Sequence, residues 1–175
     1  MKHFASYYIE SIRSQMPVFE MINKLISLDS DIRLIQAKIK VADSPDAIKE
    51  RVSVLSIVTE YLKKTQERTR LVRDVFQGVE NSINPLLEYM EEKMGDEDFL
   101  TNFKYIQGQF DSAIGCIKMC GEPQVGFSNE FTRRINDCIE RCNKMSEAEY
   151  KILKDNMMEL VKDRVNVPEV KVEEL

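Results

Sequence analysis

Residues 99–117, FLTNFKYIQGQFDSAIGCI, carry six large apolar side chains at steps of three and four residues. These six are Phe99, Phe103, Ile106, Phe110, Ile114 and Ile117. Such a spacing places side chains on one face of an α-helix, whereas a half-buried strand would alternate apolar and polar residues. The stretch therefore predicts an amphipathic helix that buries one face.

The same helical spacing recurs toward the N-terminus. One apolar stripe runs through Phe4, Tyr8, Ile12, Phe19, Ile22 and Ile26, and a second runs through Ile48, Val52, Leu55, Val58 and Leu62. Six Gly and five Pro in 175 residues are too few for the frequent turns of a β-sandwich. We therefore expect an all-α fold, either a helical bundle or an elongated helical array, that ends in an antiparallel helical hairpin.

Length and helix-breaking residues predict how the chain is divided. A chain of 175 residues suits one domain, or a domain that carries a long helical arm. We expect an N-terminal helical region over 1–95, a cysteine-containing hairpin with a final helix over 96–166, and an extended tail over 167–175. Pro17 and Pro85 are expected to interrupt helices, because proline lacks the amide proton that a helix interior needs. Helix starts are predicted at Asp29 or Ser30, at Ser44 followed by Pro45 and Asp46, at Asp96, at Ser128, and at Ser146 with Glu149.

Composition narrows the classes of function. The chain carries 25 Lys and Arg against 30 Asp and Glu, a formal net charge of −5, whereas nucleic-acid-binding proteins concentrate a basic surplus. The one histidine, His3, lies beside the N-terminus, which argues against catalytic triads, Cys-His dyads and histidine-ligated metals. We therefore expect no nucleic-acid partner, no cofactor, no metal site and no catalytic residue, in a protein that is not an enzyme.

The chain also lacks recognisable membrane and targeting segments. No stretch approaches the roughly 20 apolar residues of a transmembrane helix, so we expect no transmembrane segment. The first residues, MKHFASYYIESIRSQM, have neither the apolar centre of a secretory signal nor the arginine-rich character of a cleaved mitochondrial presequence. Mitochondrial import routes that use no presequence stay compatible with this N-terminus.

Four cysteines form two pairs of equal spacing, Cys116-Ile-Lys-Met-Cys120 and Cys138-Ile-Glu-Arg-Cys142. The i, i+4 spacing puts both sulfurs of a pair on one helix face. If the loop after Gly121 returns the second helix antiparallel to the first, Cys120 lies opposite Cys138 and Cys116 opposite Cys142, and two interhelical disulfides follow. Two alternatives stay open: four thiols buried as core residues, or a four-thiolate zinc site.

The motifs CIKMC and CIERC resemble those of the twin CX3C proteins of the mitochondrial intermembrane space, a family that includes the small Tim chaperones. The resemblance covers about residues 97–165. It implies a helical hairpin locked by nested disulfides, Cys116–Cys142 and Cys120–Cys138, which the local disulfide relay would form. It also implies import without a cleaved presequence.

Two clusters of charge are candidate contact surfaces. A basic segment interrupts the apolar stripe of a predicted helix and could meet an acidic protein surface or anionic lipid headgroups; it comprises Lys63, Lys64, Arg68, Arg70 and Arg73. An acidic cluster could attract a divalent cation, although it lacks the alternating oxygen ligands of an EF-hand; it comprises Glu88, Glu91, Glu92, Asp96, Glu97 and Asp98. For both clusters the alternative is a solvated, salt-bridged helix surface.

Three functions are consistent with these features. We expect a non-enzymatic accessory subunit of a protein assembly at the mitochondrial inner membrane, such as a respiratory-chain or ATP synthase complex, that faces the intermembrane space and binds protein partners. The second candidate is a small Tim-like import chaperone, although small Tims have no counterpart to the helical region before the hairpin. The third is a cytosolic helical scaffold or adaptor whose cysteines are reduced and buried.

Overall fold

The computed structural model describes residues 2–42, 51–121 and 125–162. In these ranges the chain forms six helices and no strand: α1 (Phe4–Ala42), α2 (Arg51–Lys93), α3 (Glu97–Thr101), α4 (Phe103–Lys118), α5 (Asn129–Asn143) and α6 (Ala148–Val161). The all-α class predicted from the apolar spacing is confirmed.

Two predicted helix interruptions are wrong. Both α1 and α2 are continuous, with Pro17 inside the first and Pro85 inside the second. The helix start predicted at Asp29 or Ser30 is also wrong, because both residues lie inside the continuous α1. A proline removes one backbone hydrogen bond, but the turns on either side are held by buried neighbours such as Val18, which is 1% exposed. Most helical stability in proteins comes from such tertiary packing.

The predicted caps are partly confirmed. The hydroxyl of Ser128 accepts a hydrogen bond from the amide of Phe131 at 3.2 Å, so it caps α5 as expected. The start of α6 is preceded by Glu147 rather than by Ser146, and Glu147 makes no side-chain cap. The start predicted at Ser44 and the tail predicted over 167–175 lie outside the described residues.

The core is built around the C-terminal half of α2. Helices α1, α4 and α5 pack against α2, and α6 packs against α4 and α5. The residues of α2 that face this core are almost fully buried; they are Val72, Val75, Phe76, Val79, Ile83, Leu86, Leu87, Tyr89 and Met90. The bundle therefore has α2, α4, α6 and α5 in this order around its circumference, with α1 against α2 and α4.

Polar contacts show that α4 runs antiparallel to α2. At the start of α4 the side-chain amide of Asn102 donates to the hydroxyl of Tyr89 at 3.1 Å. Just after its end, Arg68 donates to the carbonyl oxygen of Cys120 at 3.1 Å. The direction of α4 along α2 is thus fixed at both ends.

In contrast, α5 runs parallel to α2. Near its start, the amide of Ser128 donates to the carboxylate of Glu80, a side chain that is 7% exposed. Near its end, Arg141 donates to the carbonyl oxygens of Met90 and Met94, both at 3.3 Å. The carbonyl of Met90 also accepts from the backbone amide of Met94 at 3.0 Å, so Arg141 adds a side-chain donor at the last turn of α2 and at the residue that follows it.

A single hydrophobic core contains residues from Tyr7 to Val161. Near the start of α6, the ring of Tyr150 stacks on Phe99 with 5.4 Å between centroids, and Phe99 stacks on Tyr89 at 5.8 Å. The boundary expected between 1–95 and 96–166 therefore falls inside one core, because residues from both sides of it are packed together.

The expected pairing of α4 with α5 differs from the structure. These two helices are not among the pairs that pack on each other along their lengths, whereas α6 packs against both. The buried face of α6 occupies the position between them with Tyr150, Leu153, Met157 and Leu160. Helix α6 therefore lies between α4 and α5, which the hairpin prediction had placed directly against each other.

Beyond the bundle, α1 and α2 continue together as a two-helix arm, formed by residues 30–42 of α1 and 51–67 of α2. The helices are antiparallel, because Asp29 of α1 pairs with Arg68 of α2 while Tyr7 hydrogen-bonds to Glu92. Among the arm side chains that the structure describes, only Ile35 is buried.

Helix α1 approaches α2 closely at Gly78. A Cβ atom at Gly78 would lie 2.6 Å from Cγ2 of Val18. Val18 is β-branched and 1% exposed, so its side chain has little freedom to move away.

We expect Gly78→Ala to lower the free energy of unfolding by about 1–3 kcal/mol, because it overpacks a close helix contact. At an unobstructed helix position the same change would stabilise by roughly 0.5–1 kcal/mol. Urea unfolding in the Val18→Ala background supplies the control, since removing the obstruction should make Gly78→Ala neutral or stabilising. An equal loss in both backgrounds would contradict the contact.

Candidate functional site

The four cysteines are buried side chains of two different helices. Cys116 and Cys120, at the end of α4, are 6% and 1% exposed. Cys138 and Cys142, on α5, are 1% and 2% exposed. Each pair lies on one face of its helix, as its i, i+4 spacing requires, and in both helices that face is buried.

The two cysteine pairs lie beside different parts of α2, far apart along its axis. The carbonyl oxygen of Cys120 accepts a hydrogen bond from Arg68. Cys138 lies beside Glu91, whose charge acts on its thiol, and Arg141 donates to the carbonyl of Glu91 at 3.0 Å. Arg68 and Glu91 are about 35 Å apart along α2 at 1.5 Å per residue, whereas a disulfide joins Cα atoms at most about 7 Å apart. Cys120 and Cys138 are therefore not neighbours.

No disulfide joins the cysteines in the part of the chain that the structure describes. The pairings Cys116–Cys142 and Cys120–Cys138 stay predictions, and forming them would require α5 to shift along α2 by several helical turns. A zinc site is not formed either, because no three histidine, cysteine or carboxylate side chains of the described residues converge to hold a metal. The arrangement matches the remaining alternative, thiols that pack as core residues.

Burial keeps the α5 thiols protonated. It raises the pKa of Cys138 to about 12, with a further contribution from the Glu91 carboxylate, and that of Cys142 to about 11. Burial also raises the pKa of Cys116. Because the thiolate is the nucleophile and the metal ligand, a buried thiol of raised pKa is chemically inert at neutral pH.

The structure divides the basic segment that was predicted as a contact surface. Arg68 pairs with Asp29 of α1 and donates to the carbonyl of Cys120, so it connects three parts of the bundle. The ammonium of Lys64 lies 3.7 Å from the carboxylate of Asp31. These two basic side chains therefore have acidic partners on α1 of the same chain.

The other three basic residues, Lys63, Arg70 and Arg73, are exposed. Arg70 lines a groove between α1 and α2 together with Glu67 and Asp74. Carboxylates in the same groove reduce its attraction for anionic lipid headgroups, which depends on a cluster of basic charge. The predicted contact with anionic lipid therefore rests on three separate exposed basic side chains rather than on a basic cluster.

Two residues of the acidic cluster have structural partners. Glu91 pairs with Arg134 of α5, and Glu92 accepts a hydrogen bond from the hydroxyl of Tyr7 at 3.0 Å. The partners lie 43 and 85 residues away in sequence, so local patterns gave no sign of them. These contacts position α5 and α1 against the end of α2.

An exposed apolar surface lies on the arm and was not predicted as a site. Its exposed apolar side chains are Leu34, Val41, Leu55, Val58 and Leu62, with exposed fractions of 61, 71, 67, 37 and 55%. The sequence shows Leu55, Val58 and Leu62 as part of a helical stripe, which is ordinarily core. Only the length of the bundle determines which part of that stripe is covered.

The exposed row on α2 continues a row that binds a helix elsewhere. Leu55 and Leu62 precede Phe76 by three and two heptads, so they lie on the same side of α2. In the bundle, Phe76 packs against Phe127 at 4.9 Å between ring centroids, and Glu80 binds the start of α5. The exposed Leu55, Val58 and Leu62 of the arm therefore lie on the side of α2 that, in the bundle, packs against α5 and the loop before it.

Comparisons of the chain with protein-family models, with curated proteins and with solved structures found no match. None of the described helices combines the length and the apolar character needed to cross a membrane.

We expect Cys138 and Cys142 to be reduced in the purified protein. Alkylation in guanidinium chloride without a reductant should label both, whereas alkylation of the folded protein should label neither, because the thiols are buried and protonated. Peptide mapping by mass spectrometry measures the labelling. Peptides of Cys138 and Cys142 that stay unlabelled in denaturant and are linked to those of Cys120 and Cys116 would establish the nested disulfides instead.

The raised thiol pKa values predict a loss of stability in alkaline solution. Above pH 9, Cys138 and Cys142 ionise in the unfolded chain but stay protonated in the folded chain until about pH 11–12. The folded state then binds more protons, so the free energy of unfolding falls as the pH rises through this window. The double variant Cys138→Ala, Cys142→Ala should show a shallower fall in urea unfolding at pH 8–11; an identical slope would contradict the prediction.

Proposed function

We propose that this protein is a non-enzymatic helical adaptor, a subunit that joins a larger protein assembly through its two-helix arm. The observation that carries the proposal is the row of exposed Leu55, Val58 and Leu62 on a face of α2 that binds α5 further along. An uncovered apolar row on a helix is the feature that a partner helix or groove recognises, and contiguous exposed apolar surface marks interaction sites.

Three side chains whose pKa values are raised make contacts that hold the helices of the bundle together. The hydroxyl of Tyr7 donates to Glu92, that of Tyr150 accepts from the amide of Gly95 at 2.8 Å, and Arg134 pairs with Glu91. Each of these groups thus holds one element against another. A function in binding partners, rather than in chemistry, needs only such a rigid bundle and an accessible surface.

The positions of the cysteines favour an adaptor in a reducing compartment such as the cytoplasm. Buried, protonated thiols that lie at different levels of α2 need no oxidising machinery, and disulfides are rare in reducing compartments. The accessory subunit of a mitochondrial inner-membrane assembly, facing the intermembrane space, is the second candidate. It is favoured by the duplicated C-x3-C spacing, and it requires the oxidised cysteines that alkylation would detect.

An arm variant tests the proposal. In Leu55→Asp, Leu62→Asp the apolar row carries two charges, and each leucine that a partner buries fully contributes about 1.5–3 kcal/mol. We therefore expect binding to weaken at least about tenfold. The tagged proteins are expressed in the cells in which this protein naturally occurs. Gel filtration of native extract should then show the wild type in a high-mass fraction and the arm variant at a lower mass.

A matched control lies on α6, where Ile152 and Met158 are 42% and 48% exposed. The variant Ile152→Asp, Met158→Asp introduces the same two charges on the bundle and should keep the high-mass position. Equal elution of all three proteins, or a shift of the α6 variant alone, would refute the role of the arm.

A further inference from the structure

Helix α1 has apolar side chains on two faces. The inner face, which includes Val18 and Leu25, is buried against the bundle. The outer row consists of Ile9, Ile12, Met16, Phe19 and Ile26, with exposed fractions of 47, 37, 62, 47 and 48%. Five large apolar side chains in one row of a single helix form a contiguous surface rather than scattered exposure.

The outer row has the spacing of a coiled-coil seam. With the exposed Asn23 included, its members advance by alternating steps of three and four residues from Ile9 to Ile26. This is the a and d pattern of a heptad repeat, in which a single polar residue such as Asn23 is tolerated at an a position. A row with this spacing fits a second helix that lies along it.

We propose that the outer row of α1 is the interface of an antiparallel homodimer, in which α1 of one copy packs along α1 of a second copy. In this register Met16 packs against Phe19 of the second copy, and Ile9 against Ile26 of the second copy. The same surface serves on both copies, as a two-fold symmetric interface requires.

Two charged residues select this register. Arg13 and Glu20 are exposed and occupy successive e positions beside the seam. In an antiparallel coiled coil e positions face e positions, so Arg13 lies opposite Glu20 of the second copy, twice by symmetry. A slip of one heptad in either direction would place Arg13 opposite Arg13 or Glu20 opposite Glu20. A parallel dimer would place uncharged g residues, Tyr8 and Gln15, beside these charges.

The surface next to the outer row leaves room for a second helix. On α4, a row at helical spacing borders α1: Tyr105 packs edge-on against Tyr8 at 5.4 Å between centroids, and Ser112 hydrogen-bonds to Gln15. Gly108 belongs to the same row and is exposed, with no atom within 4 Å of where its Cβ would be. Between Tyr105 and Ser112, the α4 row therefore leaves space at Gly108 for a second helix that packs along α1.

The antiparallel dimer has a consequence for the arms. Each arm continues its own α1 beyond Ile26, so the two arms extend from opposite ends of the dimer. The dimer uses a surface separate from the apolar row of the arm, so the dimer and the adaptor function can fail independently.

Sedimentation velocity over a range of protein concentrations tests the proposal. The wild type should be a dimer that dissociates on dilution, and Met16→Asp, Phe19→Asp should be a monomer with an unchanged helical circular dichroism spectrum. The α6 variant Ile152→Asp, Met158→Asp should stay dimeric. A wild type that is monomeric at every concentration, or a seam variant that stays dimeric, would overturn the proposal.

Charge reversal tests the register. Arg13→Glu and Glu20→Arg each create two like-charge contacts and should raise the dissociation constant by about tenfold at low salt. The double variant Arg13→Glu, Glu20→Arg restores opposite charges and should return it to the wild-type value, and an equimolar mixture of the two single variants should form a heterodimer. Additive weakening in the double variant would contradict the antiparallel register.

Discussion

Residues 72–93 of α2 are surrounded by α1, α4 and α5, and the burial of their apolar side chains is the constraint on which the other helices depend. Val75, Ile83, Leu86 and Met90 are all 0% exposed. Removing this much apolar surface from water is the dominant favourable term in folding. Every other long helix either packs on this segment or, in the case of α6, closes the bundle over the helices that do.

Apolar burial alone does not set the levels at which helices meet, and here charged side chains do so. Arg68 holds the start of the bundle by binding Asp29 and the carbonyl of Cys120. At the other end, Arg141 binds backbone carbonyls at the end of α2 and Arg134 binds Glu91. Hydrogen bonds to charged groups are stronger than neutral ones and depend on direction, so these contacts fix the positions of α4 and α5 along α2. The separation of the two cysteine pairs follows from the same contacts.

Helices α1 and α2 are longer than the bundle that they enclose, and this difference produces the surfaces that we connect with function. On one side of α2, apolar side chains are covered near Phe76 and exposed at Leu55 and Leu62, with the basic segment between them. On α1, one apolar row faces the bundle and a second, from Ile9 to Ile26, faces outward. An adaptor with one partner site on the arm and one self-association site on α1 would present two arms, and paired sites raise the apparent affinity for a partner that carries two binding sites.

The sequence by itself determined the helical class, the cap at Ser128 and the buried face of each cysteine pair, because these depend on contacts within three or four residues. It did not determine that the helices continue through Pro17 and Pro85, since the packing of neighbouring turns outweighs one lost hydrogen bond. It also did not determine which helix lies beside which. The apolar faces of α4, α5 and α6 are all suited to pair with one another, and only the three-dimensional arrangement placed α6 against both of the others. For the same reason the tertiary structure alone decided which apolar rows are core and which are exposed: a helical stripe encodes an apolar face, but whether another helix reaches far enough to cover it depends on the whole fold.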